Sequence, residues 1–243
     1  MHERQGKILR LIVEEYVRTA VPVSSRQVCE LGKFDCSPAT IRNEMSALEQ
    51  EGLISQPHTS AGRIPTEAGY RYYIVTQKAK PPPSQVLKIQ IVLAKQPVVR
   101  LPNVEDLLSE LGMMLAEVTG EAVMVATSRP WSRVVGISNL LRKPEFRTPE
   151  ALYNLAEGIE GFDQSYQVLM KSASDEIAVL LGNEGPFGPG LASVVARCQL
   201  QKGVEGVIGI VGPLRMNYTR NIAIANKAIH IINQEISRKK TKL

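Results

Sequence analysis

Cysteine is scarce in this sequence. The three present, Cys29, Cys36 and Cys198, form an odd set without CxxC or CxxH pairing, which excludes a disulfide framework and argues against structural zinc. They read as buried or half-buried free thiols. Cys36 alone, just ahead of a predicted helix start, is placed for a redox switch. Histidine is equally rare: His2, His58 and His230 are scattered, and no HExxH or GxSxG motif occurs. No His, Asp and Glu cluster has metal-ligand spacing, so the sequence predicts no catalysis, no metal and no cofactor. No apolar run reaches the roughly 18 residues needed to span a bilayer. The opening Met1-His2-Glu3-Arg4 has an early acid and no apolar core of a signal peptide, so a cytoplasmic protein is expected. A strong excess of one charge is also missing. The net charge is +5, and residues 1–78 hold ten Lys and Arg against nine Asp and Glu. Any polyanion partner must therefore be recognised by the placement of charge, not by its total.

What is present is enough apolar material for a packed core, 44% of 243 residues, with 22% charged. The length suits one large or two modest domains. The chain divides at Lys78-Ala79-Lys80-Pro81-Pro82-Pro83-Ser84, where three prolines stop any helix and favour an extended segment. This gives a first domain over 1–78, a Pro-rich linker over 79–103 and a second domain over 104–243. No internal repeat is visible.

The first domain reads as helices followed by a hairpin. Ile8, Leu9, Ile12, Val13 and Tyr16 recur at helical spacing from Arg4 to Arg18. Ser24 caps a short second helix, Ser25 to Leu31, with Gly32 as its stop. Ser37-Pro38 starts a third helix, with Ser at the N-cap and Pro where a missing N–H costs nothing. It runs to about Gln50. Leu53–Gln56 and Arg63–Pro65 are short strands around a turn, and Thr66 caps a fourth helix. This is the order of a winged helix-turn-helix.

On the third helix, Ile41, Met45 and Leu48 share one face, which must pack inward. The opposite face carries Ala39, Asn43, Ser46 and Gln50, flanked by Thr40 and Arg42. Small residues let a backbone approach a groove floor, Asn bonds adenine bidentately, and Arg bonds guanine or phosphate. Ser37 and the free N–H groups at this helix start suit a phosphate. From Gly52 to Thr66 there is no acid, and the hairpin tip offers His58, Thr59 and Ser60 with Arg63 behind them. Arg26 on the second helix completes the candidate contact set. Double-stranded DNA is the expected partner; a protein-binding winged helix or a ligand sensor is the rival reading.

Residues 37–73, SPATIRNEMSALEQEGLISQPHTSAGRIPTEAGYRYY, closely resemble the N-terminal domain of the HrcA family of heat-inducible transcription repressors, without gaps. The upstream VPVSSRQV is similar to that family's second helix. Further on, VVGISNLLRKPEFRTPEAL (134–152) and GVEGVIGIVGPLRMNYTRNI (203–222) resemble its later motifs. The resemblance implies an α+β protein: a winged helix followed by a reduced GAF-like α/β domain. It also implies a repressor acting as a homodimer on an inverted-repeat operator before chaperone genes, with a GroE-type chaperonin aiding its folding. The family's long stretch before GISNLL is here only Gly120 to Arg133, so the usual dimerisation insert and some GAF-like strands are expected to be missing.

Within the second domain, helices are expected over Glu105–Val118, Pro149–Ile159 and Ile222–Ile236, the last ending in a basic tail, with strands over Ala122–Thr127, Ile177–Leu181 and Val204–Val211. Gly182, Gly185, Gly188 and Gly190 lack the order of a phosphate loop and read as a surface loop. The apolar faces of the first and last helices are either self-association surfaces or internal core.

Overall fold

The computed structural model describes residues 2–77, 104–128, 131–160, 177–201 and 204–240. The chain forms two compact units, Met1–Lys78 with Leu214–Asn217, and Ala79–Pro213 with Tyr218–Leu243. The expected linker over 79–103 lies outside the described residues.

In the first unit, helix α1 (Glu3–Thr19) turns Ile8, Leu9, Ile12 and Val13 inward at helical spacing, and all four are buried. Helix α2 (Ser25–Gly32) begins with a capping box. The Ser24 hydroxyl accepts the Gln27 N–H at 3.3 Å, and the Gln27 side-chain oxygen accepts the Ser24 N–H at 2.9 Å. Gly32 is not the stop the sequence suggests. It is the last helical residue, and Lys33 takes the left-handed cap at φ 48°. Gly32 is needed for space instead, because a Cβ there would collide with the Phe34 ring.

Helix α3 (Pro38–Gln50) starts as the Ser-Pro pair predicts. Ser37 accepts the Thr40 N–H at 3.2 Å, and Pro38 occupies the first turn. Ile41, Met45 and Leu48 are its buried face. Strands β1 (Ile54–Ser55) and β2 (Ile64–Pro65) pair antiparallel, Ile54 with Pro65 and Ser55 with Ile64. Helix α4 (Glu67–Thr76) follows. Thr66 caps it by accepting the Gly69 N–H at 3.1 Å, and donates to the Gly52 carbonyl at 2.6 Å, so one side chain joins both ends of the hairpin.

The second unit is one antiparallel five-stranded sheet with helices. Its elements are α5 (Val104–Thr119), β3 (Ala122–Thr127), β4 (Ser132–Val135), α6 (Ile137–Leu141), a 3-10 turn (Pro144–Phe146), α7 (Pro149–Glu160), β5 (Ile177–Leu181), β6 (Leu191–Gln201), β7 (Val204–Pro213) and α8 (Tyr218–Lys240). The strand order is β4-β3-β7-β6-β5. One face packs Met124, Val195, Val207 and Val211 against Leu140, Phe146, Leu155 and Phe187. Gly112 of α5 lies over Val125, which points to the opposite face, and α8 packs on β6. Among the described side chains the apolar faces of α5 and α8 are internal core, not self-association surfaces: Leu108, Leu111, Leu115, Ile224, Ala228 and Ile232 are all buried.

Strands β4 and β6 were not expected. Residues 191–196 of β6 are buried without interruption, so the strand lacks the alternation by which a half-exposed strand is recognised.

Where β3 begins, a buried polar cluster forms. Glu121, 3% exposed, is ion-paired with Lys143. Asn139 donates to the carbonyls of Ala116 and Glu121 at 3.1 and 3.0 Å, and Arg220 donates to the Thr119 carbonyl. Burial lowers the Arg220 pKa, against the pull of Glu121. A Cβ on Gly212 would collide with the Glu121 carboxylate.

Burial also pushes the Cys198 thiol up to about 12, partly offset by the Gly206 backbone. Cys29 and Cys36 are half-buried. At about pH 8, iodoacetamide is expected to label Cys29 and Cys36 in the native protein and Cys198 only after unfolding, because the thiolate is the reactive form. Peptide mapping checks this; native labelling of Cys198 would show that β6 opens.

Candidate nucleic-acid interface

The wing is not a free hairpin. Val23, in the connector between α1 and α2, pairs with Arg63 in both directions: the Val23 N–H donates to the Arg63 carbonyl at 2.9 Å and the Arg63 N–H to the Val23 carbonyl at 2.8 Å. A side chain on Gly62 would collide with the Val23 carbonyl, so the close approach needs glycine. At the tip, the Gln56 amide donates to the carbonyls of Thr59 and Ala61, each at 2.9 Å, and holds the turn closed. His58, Thr59 and Ser60 are left exposed.

On α3, Ala39, Arg42, Asn43 and Gln50 are exposed, while Thr40 and Ser46 are half-buried. Ser46 donates to the Arg42 carbonyl at 3.0 Å, and the Thr40 hydroxyl lies 3.1 Å from that of Ser37. Ser37 is exposed at the helix start but is occupied as the cap. Arg42 and Asn43 have no side-chain partner among the described residues.

Two acids of α3 are bound by arginines from other elements. Glu44 binds Arg4 of α1, with Arg4 Nε at 3.0 Å, and this hydrogen bond holds the Glu44 carboxyl below its ordinary pKa. Glu49 binds Arg63, whose Nε and Nη2 lie 3.0 and 2.9 Å from Oε2. Arg63 is thus half-buried and tied to the recognition helix, unlike the exposed residues of the wing tip. Arg26 is exposed and pairs with Glu30 one turn on at 3.1 Å, a surface pair of small worth. The structure brings Ser37, Ala39, Thr40, Arg42, Asn43, Ser46 and the wing into one head. Sequence reasoning missed Glu49, Gln56 and Gly62. The partner of Glu49 and the obstacle at Gly62 are set by tertiary contact, whereas Gln56 bonds carbonyls of its own turn.

Three helices, a docked hairpin and an outward polar face on the third helix define a winged helix-turn-helix of the DNA-binding class. Two models of one family match the chain: "Winged helix-turn-helix transcription repressor, HrcA DNA-binding" over residues 1–79, and "HrcA protein C terminal domain" over residues 127–222. The chain belongs to the HrcA family of heat-inducible transcription repressors. The heat-inducible transcription repressor HrcA of Desulfitobacterium hafniense is 45% identical over 119 residues, 49% of this chain and 34% of the relative. That of Thermosynechococcus vestitus is 30% identical over 171 residues, 66% of this chain and 48% of the relative. The chain thus spans between a third and a half of these relatives' length. A crystal structure of a hypothetical protein at 2.2 Å resolution shares the fold, with a TM-score of 0.77 and 22% identity, over 98% of this chain and 99% of the other. No helix among the described residues is long and apolar enough to cross a membrane.

The Glu49–Arg63 tie is open to a charge swap. Glu49→Arg or Arg63→Glu alone is expected to cost roughly 1 kcal/mol, and the double reversal to recover most of it. Chemical denaturation checks the cycle; strictly additive losses would show that the pair does not hold the wing.

Proposed function

We propose that this chain is a sequence-specific DNA-binding repressor of heat-shock chaperone genes, acting in the cytoplasm as a homodimer on an inverted-repeat operator. The observation that carries the reading is the pairing pattern of α3. Glu44 and Glu49 are held by Arg4 and Arg63, while Arg42 and Asn43 project unpartnered from its exposed side. A helix so disposed enters a major groove with its amide and guanidinium toward the DNA. Ser37, Ala39, Thr40 and Ser46 line the same approach; His58, Thr59 and Ser60 reach the adjacent backbone or minor groove, and Arg26 lies at the edge. Arg63 acts by holding the wing. Family membership supports the heat-shock assignment, and a two-fold operator requires a two-fold protein. Chaperonin-assisted folding belongs to the same reading.

The test is a titration against an inverted-repeat duplex and a scrambled duplex of equal length at two salt concentrations. Strong preference for the inverted repeat with two chains per duplex is expected. Equal, weak, salt-sensitive binding to both would overturn sequence-specific repression. In the same assay Asn43→Ala is expected to relax preference at one base pair, costing roughly 1–3 kcal/mol. An unchanged profile over operator variants would remove Asn43 from the base-reading set.

A further inference from the structure

Beside the exposed face of α3 lies a cleft of ≈ 420 Å³. Three separate pieces of the head wall it: Ser24 and Ser25 at the start of α2, Arg42 on α3, and Thr59 and Ser60 on the wing. No acid lines it. The lining residue Arg63 is bound to Glu49, whose charge it neutralises.

Ser25 is the informative residue. It is only 9% exposed, yet its hydroxyl has no hydrogen-bond partner among the described residues, and it borders the cleft. Its neighbour Ser24 is fully used, accepting from the Gln27 N–H and donating to the Gln27 side-chain oxygen at 2.8 Å. Ser25 is also the first residue of α2, where backbone N–H groups have no partner within the helix. A free hydroxyl, free helix-start N–H groups, an unpaired guanidinium and two exposed wing hydroxyls therefore border one acid-free space. Every one of these groups can donate to an anion, and the helix start adds a favourable dipole.

We propose that this cleft is a phosphate subsite that takes one phosphodiester of the DNA backbone, with Arg42 serving that phosphate and Asn43 reading the base. The inference rests on the DNA-binding reading above. The space is larger than a lone phosphate ion fills and suits a phosphodiester with its flanking sugar.

Ser25→Asp in the full chain separates folding from binding. An acid in the first turn of α2 favours the helix while near-burial at position 25 opposes its charge, so thermal melting of the variant is measured beside binding. The same acid repels a phosphate in the cleft. Fluorescence anisotropy against the inverted-repeat duplex at graded salt is expected to show an affinity loss of about tenfold or more, with the log–log salt slope reduced by about one unit. Wild-type affinity and slope in this variant would overturn the proposal.

Arg42→Gln covers the case in which Ser25→Asp fails to fold. A flatter salt slope with an unchanged base profile supports the subsite; a changed preference at one base pair with the slope kept makes Arg42 a base reader and overturns it. Free phosphate is tested by replacing chloride with orthophosphate at constant ionic strength. If orthophosphate raises the melting temperature of the wild type more than that of Arg42→Gln while Ser25→Asp binds duplex normally, the cleft serves a free anion and the backbone assignment fails. A wild-type protein that binds no duplex at all rejects the DNA reading itself, an outcome distinct from each of these.

Discussion

The two-way backbone pairing of Val23 with Arg63 is the contact on which the geometry of the head depends. It makes the wing an extension of the connector that launches α2, so hairpin and helix-turn-helix are joined by main chain as well as by packing. Side chains repeat the same tie from two other directions: Arg63 to Glu49 on α3, and Thr66 to the Gly52 carbonyl. Because main-chain bonds fix direction as well as distance, the wing tip has a set position relative to the recognition helix. Gly62 is what permits the approach. The cleft between α2, α3 and the wing exists because these anchors keep its walls apart at one spacing.

The near balance of charge in residues 1–78 conceals an ordered arrangement. Arg4, Arg10, Arg18, Arg26 and Arg63 are matched to Glu44, Glu14, Glu15, Glu30 and Glu49. Lys7 donates to the Gly32 carbonyl and sits over the Phe34 ring. After these pairings Arg42 remains without an acidic partner among the described residues, on the exposed side of α3. Surface pairs of this kind add little stability. Their larger effect is to neutralise carboxylates, Glu44 and Glu49 of α3 among them, which the net charge of the domain does not reveal.

What was legible in the sequence was whatever is encoded locally. Ser37-Pro38 announces a helix start because cap and first turn are neighbours in the chain, and Ile41, Met45 and Leu48 reveal an inward face because their spacing is that of the helix. The wing was legible as turn chemistry between two short apolar runs. The role of Arg63 was not, because its partner Glu49 lies 14 residues away and across the hairpin. Gly32 looked like a stop because glycine often ends helices, whereas the Phe34 ring is what demands it. Strand β6 escaped because central burial erases alternation, and the apolar faces of α5 and α8 left two readings open until the sheet beneath them was seen.

The cluster around Glu121 gives a different meaning to the two later motifs, over 134–152 and 203–222. Asn139 and Lys143 come from one segment, Gly212 and Arg220 from the other, and all converge on the same buried carboxylate or its flanking backbone. A buried charge without its partner is far more costly than the intact set, and an apolar replacement of the whole set is often tolerated. Substitutions at these positions are therefore coupled as a group. Replacing the cluster in concert is tolerated better than removing any one member. The two motifs are tied to each other through the fold, because the residues they bring together lose their value one at a time.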